Sequence, residues 1–324
     1  MGSATPALHA SIQHEKRGAG NHAGGAFGDH HHRDHLDLLR ARAAVRARTA
    51  GKPGSRPRPI ALYRFGLALP LALYFLPRRP GTLCPFAALA GAGLASGIGW
   101  TTYLNAIDQV PVASAGVVYM SYPLFVVVLA RLVVGQPITA RAALGAGLVF
   151  AGAFIVNAPG TVSGDQWPAL LSSLPAPIGF ALIVVLLCTV GHELTTLERW
   201  GALALGHVAG LLPVALLSGD GTLVPASMEG WAWIAGIAVV TATLPQILYT
   251  FASRAVSAAR ASAAGSAELP TMLAVGWLAF GEVIGLRECL GALLVIAAIA
   301  VTPAVAPAAG RMPRFLAGTP EGRS

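Results

Sequence analysis

From residue 60 onward the chain is a succession of nine apolar segments, near 60–76, 84–106, 112–134, 142–158, 169–190, 201–217, 231–252, 257–280 and 286–303. Each is close to the roughly 17 to 25 residues that a helix needs to cross hydrocarbon. The connectors are mostly short and rich in Gly, Pro, Asp and Ser, as turns at a membrane surface should be. Backbone amides in lipid find no water, so repeated segments of this length must bond within themselves as helices. The expected fold is an all-α polytopic membrane bundle of nine spans. Composition agrees: 55% of the residues are hydrophobic and 11% charged, against about a quarter charged in ordinary soluble domains.

The net charge of +8 does not point to nucleic acid, because its distribution matters more than its sum. Ten of the 22 Lys and Arg precede residue 59, and most of the rest fall in alternate loops. Arg78, Arg79, Arg131, Arg141, Arg199, Arg254, Arg260, Arg311, Arg314 and Arg323 belong to one side, whereas the loops around Asp108, Asp165 and Asp220 carry no Lys or Arg. Only Arg287 breaks the pattern. Because basic residues are held back on the cytoplasmic side during insertion, the C-terminus, with the tail 305–324, is expected in the cytoplasm.

Residues 1–58 are polar, Gly/Ala-rich and basic, and their composition reads as disordered. They hold seven of the nine histidines, and HHHRDH at 30–35 makes His30, His31, His32 and His35 weak metal candidates. An odd number of spans would place this charged tail outside, in conflict with the C-terminal orientation. The tail shows no signal-peptide pattern. Cys84, Cys188 and Cys289 lie far apart without CxxC spacing and argue for neither a disulfide framework nor a zinc site. Enzyme motifs fail as well. HELTT at 192–196 has Thr196 where a zinc protease needs a second histidine, and no Walker A sequence or paired-aspartate metal motif is present.

Compared with itself at an offset of 146, the chain aligns without gaps from 103–151 onto 249–297 with 15 identities in 49 positions. These include Tyr103/Tyr249, Gly135/Gly281, Arg141/Arg287 and Gly145/Gly291. An offset that covers five apolar segments, an odd number, makes the two copies face opposite ways across the bilayer. Inverted repeats of this kind build many secondary transporters, with the substrate path near the midplane where the halves meet.

The stretches YLNAIDQVPVASAGVVYMSYPLFVVVLARLVVGQPITARAALGAGLVFAG and YTFASRAVSAARASAAGSAELPTMLAVGWLAFGEVIGLRECLGALLVIAA each resemble the last part of an EamA domain of the drug/metabolite transporter superfamily. The shared features are an Ala/Ser-rich helix start, a mid-helix proline, a glycine at the helix end and a Gly-containing final helix. The resemblance covers roughly 59–304, with a first half at 59–158 and a second at 168–304. It implies ten helices in two inverted halves, both termini cytoplasmic, in an inner-membrane exporter of metabolites, amino acids or drugs, working by alternating access with proton coupling as one option. The family's first helix has no counterpart here. A frameshift, a misassigned start or loss of that helix explains both the count of nine and the orientation conflict. The implied partners are a small organic substrate and the lipid bilayer, with no nucleic acid and no cofactor, and a homodimer is compatible with such a bundle. Two alternatives stand beside this reading: a metal-cation transporter or sensor using the histidine tail, and a transport-incompetent protein lacking its first helix.

Glu268 sits inside an apolar stretch, where the family expects a glutamate, although the proline has moved one place to Pro270. A carboxylate in hydrocarbon costs a few kcal/mol unless it is protonated, paired or wetted. Glu268 is therefore either a proton-titrating or amine-binding group in a central cavity, or a structural carboxyl near a proline kink. Tyr103, Asn105, Tyr119, Tyr122, His207, Gln246 and Tyr249 are the cavity candidates, an aromatic lining with few polar groups that suits amphipathic organic substrates. His207 either titrates near neutrality or hydrogen-bonds a neighbouring helix. Trp231 and Trp233 read as interface anchors, Trp100 as an anchor or cavity residue. Arg64 lies early enough in its segment to snorkel. Gly93/Gly97 and Ala95/Gly99 have the four-residue spacing of close helix packing.

Overall fold

Every one of the nine apolar segments is helical in the computed structural model, which describes residues 58–157, 163–217, 227–281 and 283–304. The histidine run at 30–35, the rest of the N-terminal tail and the segment 305–324 lie outside the described residues. The helices are α1 (Arg58–Gly66), α2 (Leu69–Tyr74), α3 (Leu83–Ile107), α4 (Val112–Tyr119), α5 (Tyr122–Val134), α6 (Ala140–Asn157), α7 (Trp167–Ser172), α8 (Pro175–Thr189), α9 (Thr196–Leu217), α10 (Met228–Ile237), α11 (Leu244–Ala252), α12 (Ala258–Gly265), α13 (Glu268–Phe280) and α14 (Leu286–Val301). No strand occurs among the described residues. Six stretches are each long and apolar enough to cross a membrane: Leu83–Ile107, Ser114–Val134, Ala140–Asn157, Gly164–Thr189, Thr196–Leu216 and Met228–Ala255. The other three apolar segments appear as α1–α2, the broken pair α12–α13 and the shorter α14.

Proline sets several of the breaks. It has no N–H to donate to the preceding turn, so it is accommodated in the first turn of a new helix. Pro70 in α2, Pro123 in α5, Pro175 in α8 and Pro245 in α11 all hold that place. Between α10 and α11 the residues Ala238–Thr243 wind as a π-helix, a local widening that alters which carbonyls are bonded.

The repeat is visible in the element boundaries. Helices α4 and α12 begin and end 146 positions apart, and so do α5 and α13. The breaks fall at Met120–Ser121 and at Ser266–Ala267. The helices then end on Gly135 and Gly281, both in the left-handed region with φ of 73° and 62°, where glycine alone carries no Cβ penalty.

The contacts of α6 with its repeat mate α14 supply the orientation. Gly145 faces Ala298 and Thr302, and the equivalent Gly291 faces Gly152 and Val156. Residue numbers rise in one helix as they fall in the other, so the two mates run antiparallel. Each contact maps onto the other at the same offset of 146, as a pseudo-two-fold axis between inverted halves requires. A methyl built on either Gly152 or Gly291 would stand 2.8 Å from the other's carbonyl oxygen. Backbones this close gain dispersion contacts that lipid cannot match.

The same logic assembles the centre of the bundle. Gly93 and Gly97 of α3 meet the backbone of α9 at Leu203, Gly206, His207 and Gly210, while Gly99 lies against Pro175 and Ala176 of α8. Around these crossings Leu89, Ile183, Leu187, Leu194 and Leu203 form a buried cluster, and Tyr122, Val126, Val184, Val185, Ala258 and Ala261 form another.

Several arginines read as loop charges also do structural work. Arg199 is fully buried, and its guanidinium donates to the carbonyl of Leu187, to Thr250 O at 3.3 Å and to Ser253 Oγ at 3.4 Å. Carbonyls near helix C-termini lack intrahelical partners, and a cation there satisfies them and the local dipole. Arg254 donates to Leu194 O, and Arg260 to Ile299 O and Thr302 O. Arg79 pairs with Glu198 at 2.7 Å.

Candidate functional site

The two helix breaks meet. Tyr122, first residue of α5, donates its hydroxyl to Ser262 O at 2.9 Å and lies 3.0 Å from Ser266 Oγ, which belongs to the break between α12 and α13. Glu268, the repeat mate of Tyr122, is the first residue of α13, and its side chain is exposed instead of enclosed by packing. Tyr103, Tyr119, Tyr122 and Arg64 all lie within electrostatic range of Glu268, so the five groups share one region.

That region is aromatic. Trp100 and Tyr103 of α3 lie 5.6 Å apart by ring centroids, and both reach Tyr119 of α4, at 5.8 and 5.7 Å. Tyr119 continues to Tyr122 at 6.0 Å and to Phe180 of α8 at 6.1 Å; Tyr122 meets Phe180 edge-on at 4.9 Å. Phe180 leads to Tyr249 of α11 at 6.5 Å. The repeat mates Tyr103 and Tyr249 thus stand at opposite ends of one array drawn from five helices. Centroid spacings in this range are those of favourable edge and offset ring pairs. Trp100 belongs to this array and is half-buried, whereas Trp233 is exposed, as an interface anchor would be.

Three candidates stand apart from the ring array. His207 is buried between helices, with Nδ1 2.8 Å from Leu203 O and Nε2 3.2 Å from Ser96 Oγ, and its ring stacks on Phe65 at 4.4 Å. A carbonyl can only accept, so Nδ1 carries the proton and Nε2 accepts from Ser96. Of its two readings, the hydrogen bond to a neighbouring helix is the one observed. Asn105 is half-buried near the end of α3, where its backbone carbonyl accepts from the Gln109 side chain. Gln246 lines a small cleft between α1, α9 and α11, and its Nε2 is buried without a partner among the described residues.

Arg64 departs from expectation. Its guanidinium does not run out to a membrane surface: Nη2 donates to Thr241 O in the π-helical turn at 2.7 Å, and Cζ lies 5.7 Å from the Phe65 ring and 5.8 Å from the Trp100 ring. Phe180, Ser262 and Ser266 were also passed over in the sequence. The two serines carried a signal, a hydroxyl pair at four-residue spacing on one helix face; Phe180 in an apolar run carried none.

Two inverted, broken helices thus bring a cluster of aromatic rings and one carboxylate together. The EamA-like transporter family model matches residues 47–158 and 167–302. The chain belongs to the EamA-like transporter family. It is a multi-pass membrane transporter, and its family points to transport instead of catalysis. A riboflavin transporter of Rhizobium johnstonii is 30% identical over 245 residues, covering 74% of this chain and 78% of the relative. An uncharacterized transporter of Archaeoglobus fulgidus is 23% identical over 219 residues, 67% of this chain and 76% of its own length. A solved crystal structure matches with a TM-score of 0.63 at 15% identity, covering 83% of this chain and 95% of that one, a likeness of fold alone.

Proposed function

We propose that this EamA-like chain exports small, flat organic molecules across the inner membrane by alternating access, with Glu268 as the proton-coupling group. The observation that carries this reading is the place of Glu268: exposed, at the break of the second half's helix, and at the position equivalent to Tyr122 of the aromatic array. A carboxylate there is stabilised by the N-terminal dipole of α13, and protonation removes that interaction. The aromatic array supports a ring-bearing substrate, and the riboflavin transporter named among the relatives makes a heteroaromatic compound the first to try. The arginine-rich loops support a cytoplasmic C-terminus.

Reconstituted vesicles test this reading. With the full chain in liposomes and an imposed pH gradient, riboflavin flux exceeds that of empty liposomes, and Glu268→Gln reduces the gradient-driven part to background. Unchanged coupling in Glu268→Gln removes the assignment.

A further inference from the structure

Independently of what the chain transports, we infer that the faces of α10–α11 and α13 form a docking groove for one apolar transmembrane helix of a partner protein, the counterpart of α8. The inverted repeat carries this. In one half α8 packs against both α3 and α5. Gly179 lies against the backbone of Ala95 and Ser96, and Phe180 meets the Tyr122 ring at 4.9 Å. Beside α8, Leu89 and Val126 are wholly buried and Tyr122 is 3% exposed. Their equivalents 146 positions on are Ala235, Met272 and Glu268. Ala235 and Glu268 are exposed, and Met272 is 61% exposed. Acyl chains suit Met272, but a carboxylate facing them is costly, so lipid alone is a poor cover for this surface.

A second observation marks where the docked helix ends. Residues 62–66 (LYRFG) and 197–201 (LERWG) share a pattern that makes Arg64 the counterpart of Arg199. Arg199 donates to Leu187 O in the last turn of α8, as well as to Thr250 O and Ser253 Oγ. Arg64 makes one hydrogen bond among the described residues, to Thr241 O. A cation placed like Arg199 serves the terminal carbonyls of the helix beside it, so the last turn of the occupant falls at Arg64.

The occupant does not come from residues 29–43, which stand at the offset of 146 from α8. They hold six charged residues and four histidines, a composition that hydrocarbon strongly disfavours. In a second copy α8 is already enclosed, and its whole bundle is wider than a groove whose counterpart fits one helix. The occupant is therefore a single-span helix of another polypeptide, running opposite to α8. It carries a small residue where α8 has Gly179, so that backbones approach closely. In place of Phe180 it carries a hydrogen-bond donor, because it meets a carboxylate where α8 meets a phenol.

The test uses the full chain in phosphatidylcholine nanodiscs, with Cys84, Cys188 and Cys289 replaced. The probe is a synthetic helix with the sequence of residues 167–189 carrying Phe180→Gln, Val184→Cys and Cys188→Ser. Val184 shares a buried cluster with Val126, the equivalent of Met272, so disulfide formation under copper phenanthroline is read at Met272→Cys in the chain. Yield there exceeds by about tenfold that at Leu293→Cys, which is equally exposed on α14. Adding Ala235→Trp, which fills the groove, returns the yield to the Leu293 level with an unchanged melting temperature. Should that variant melt lower, excess probe lacking its cysteine decides: it competes the cross-link away if the groove binds a helix, and a cross-link that persists overturns the proposal. Equal yields at Met272 and Leu293 show a surface covered by lipid alone and overturn it. Met272→Cys chains that link to each other in preference to the probe assign the face to a second copy and overturn it too. A probe with Phe180→Leu cross-links several-fold less than the Phe180→Gln probe, and Glu268→Ala in the chain removes that difference; equal yields from the two probes with Glu268 present overturn the placement of a donor against it.

Discussion

The hydroxyl of Tyr122 reaches Ser262 O at 2.9 Å, so the first residue after one half's helix break is tied to the last turn before the other's. Offsetting Tyr122 by one repeat gives Glu268, and the two breaks thereby place an anchoring phenol and a titratable carboxyl at equivalent points. One half holds the other through Tyr122. The exposed Glu268 makes no comparable attachment.

Replacing Tyr122 with Phe removes this tie without creating a cavity. Ser262 O keeps its helical partner, Ser266 N at 3.1 Å, so the expected loss is about 1 kcal/mol. Thermal unfolding of the purified protein should show a small drop, and a Tyr122→Phe variant as stable as wild type would remove the tie from the account.

Two glycines of α6 should respond to alanine with opposite sign. A methyl at Gly152 collides with Gly291 O, a backbone atom that cannot swing aside, and overpacking of this kind costs about 1–3 kcal/mol. Nothing lies within 4 Å of a methyl at Gly147, so Gly147→Ala gains helix propensity of up to about 1 kcal/mol. Melting curves of the two variants side by side are the check.

Two arginines near one end of the bundle should differ as sharply. Arg199→Met leaves the carbonyls of Leu187 and Thr250 short of a donor in a buried place and should cost about 3 kcal/mol or more. Arg79 is 55% exposed, so losing its pair with Glu198 should cost about 1 kcal/mol or less and should be screened by salt. Denaturation at low and high ionic strength separates them.

His192, in the loop between α8 and α9, is held below its ordinary value by partial burial, then by the positive charges of Arg199 and Arg254. A depressed value in the folded chain means that the unfolded chain binds more protons, so stability is full above the ordinary imidazole value, about 6.5, and declines as pH falls below it. The effect is modest because the side chain is exposed. His192→Gln should flatten the stability profile between about pH 5 and 7, measured by thermal unfolding across that range.

The bundle was legible because its cause is local: length and hydropathy alone mark each of the nine segments. The repeat was legible because Gly135 and Gly281, like Gly145 and Gly291, hold places where only glycine fits, so they stay in register while their neighbours differ. What escaped were interactions that depend on which helices meet. Arg199 looks like a loop charge until α8 and α11 present their terminal carbonyls to it. Arg64 looks free to reach the surface until the π-helical turn offers it Thr241 O. Neither turn nor crossing leaves a period in the sequence.

The inverted pairing of halves is tested most directly by the sidedness of Pro137 and Val283, which are repeat equivalents and both exposed. Single cysteines placed there, in a background with Cys84, Cys188 and Cys289 replaced, can be challenged with a membrane-impermeant maleimide in right-side-out and inside-out vesicles. Inverted halves predict that Pro137→Cys is labelled in one vesicle orientation and Val283→Cys in the other. Labelling of both from the same side would contradict the pseudo-two-fold arrangement that makes Tyr122 and Glu268 equivalent.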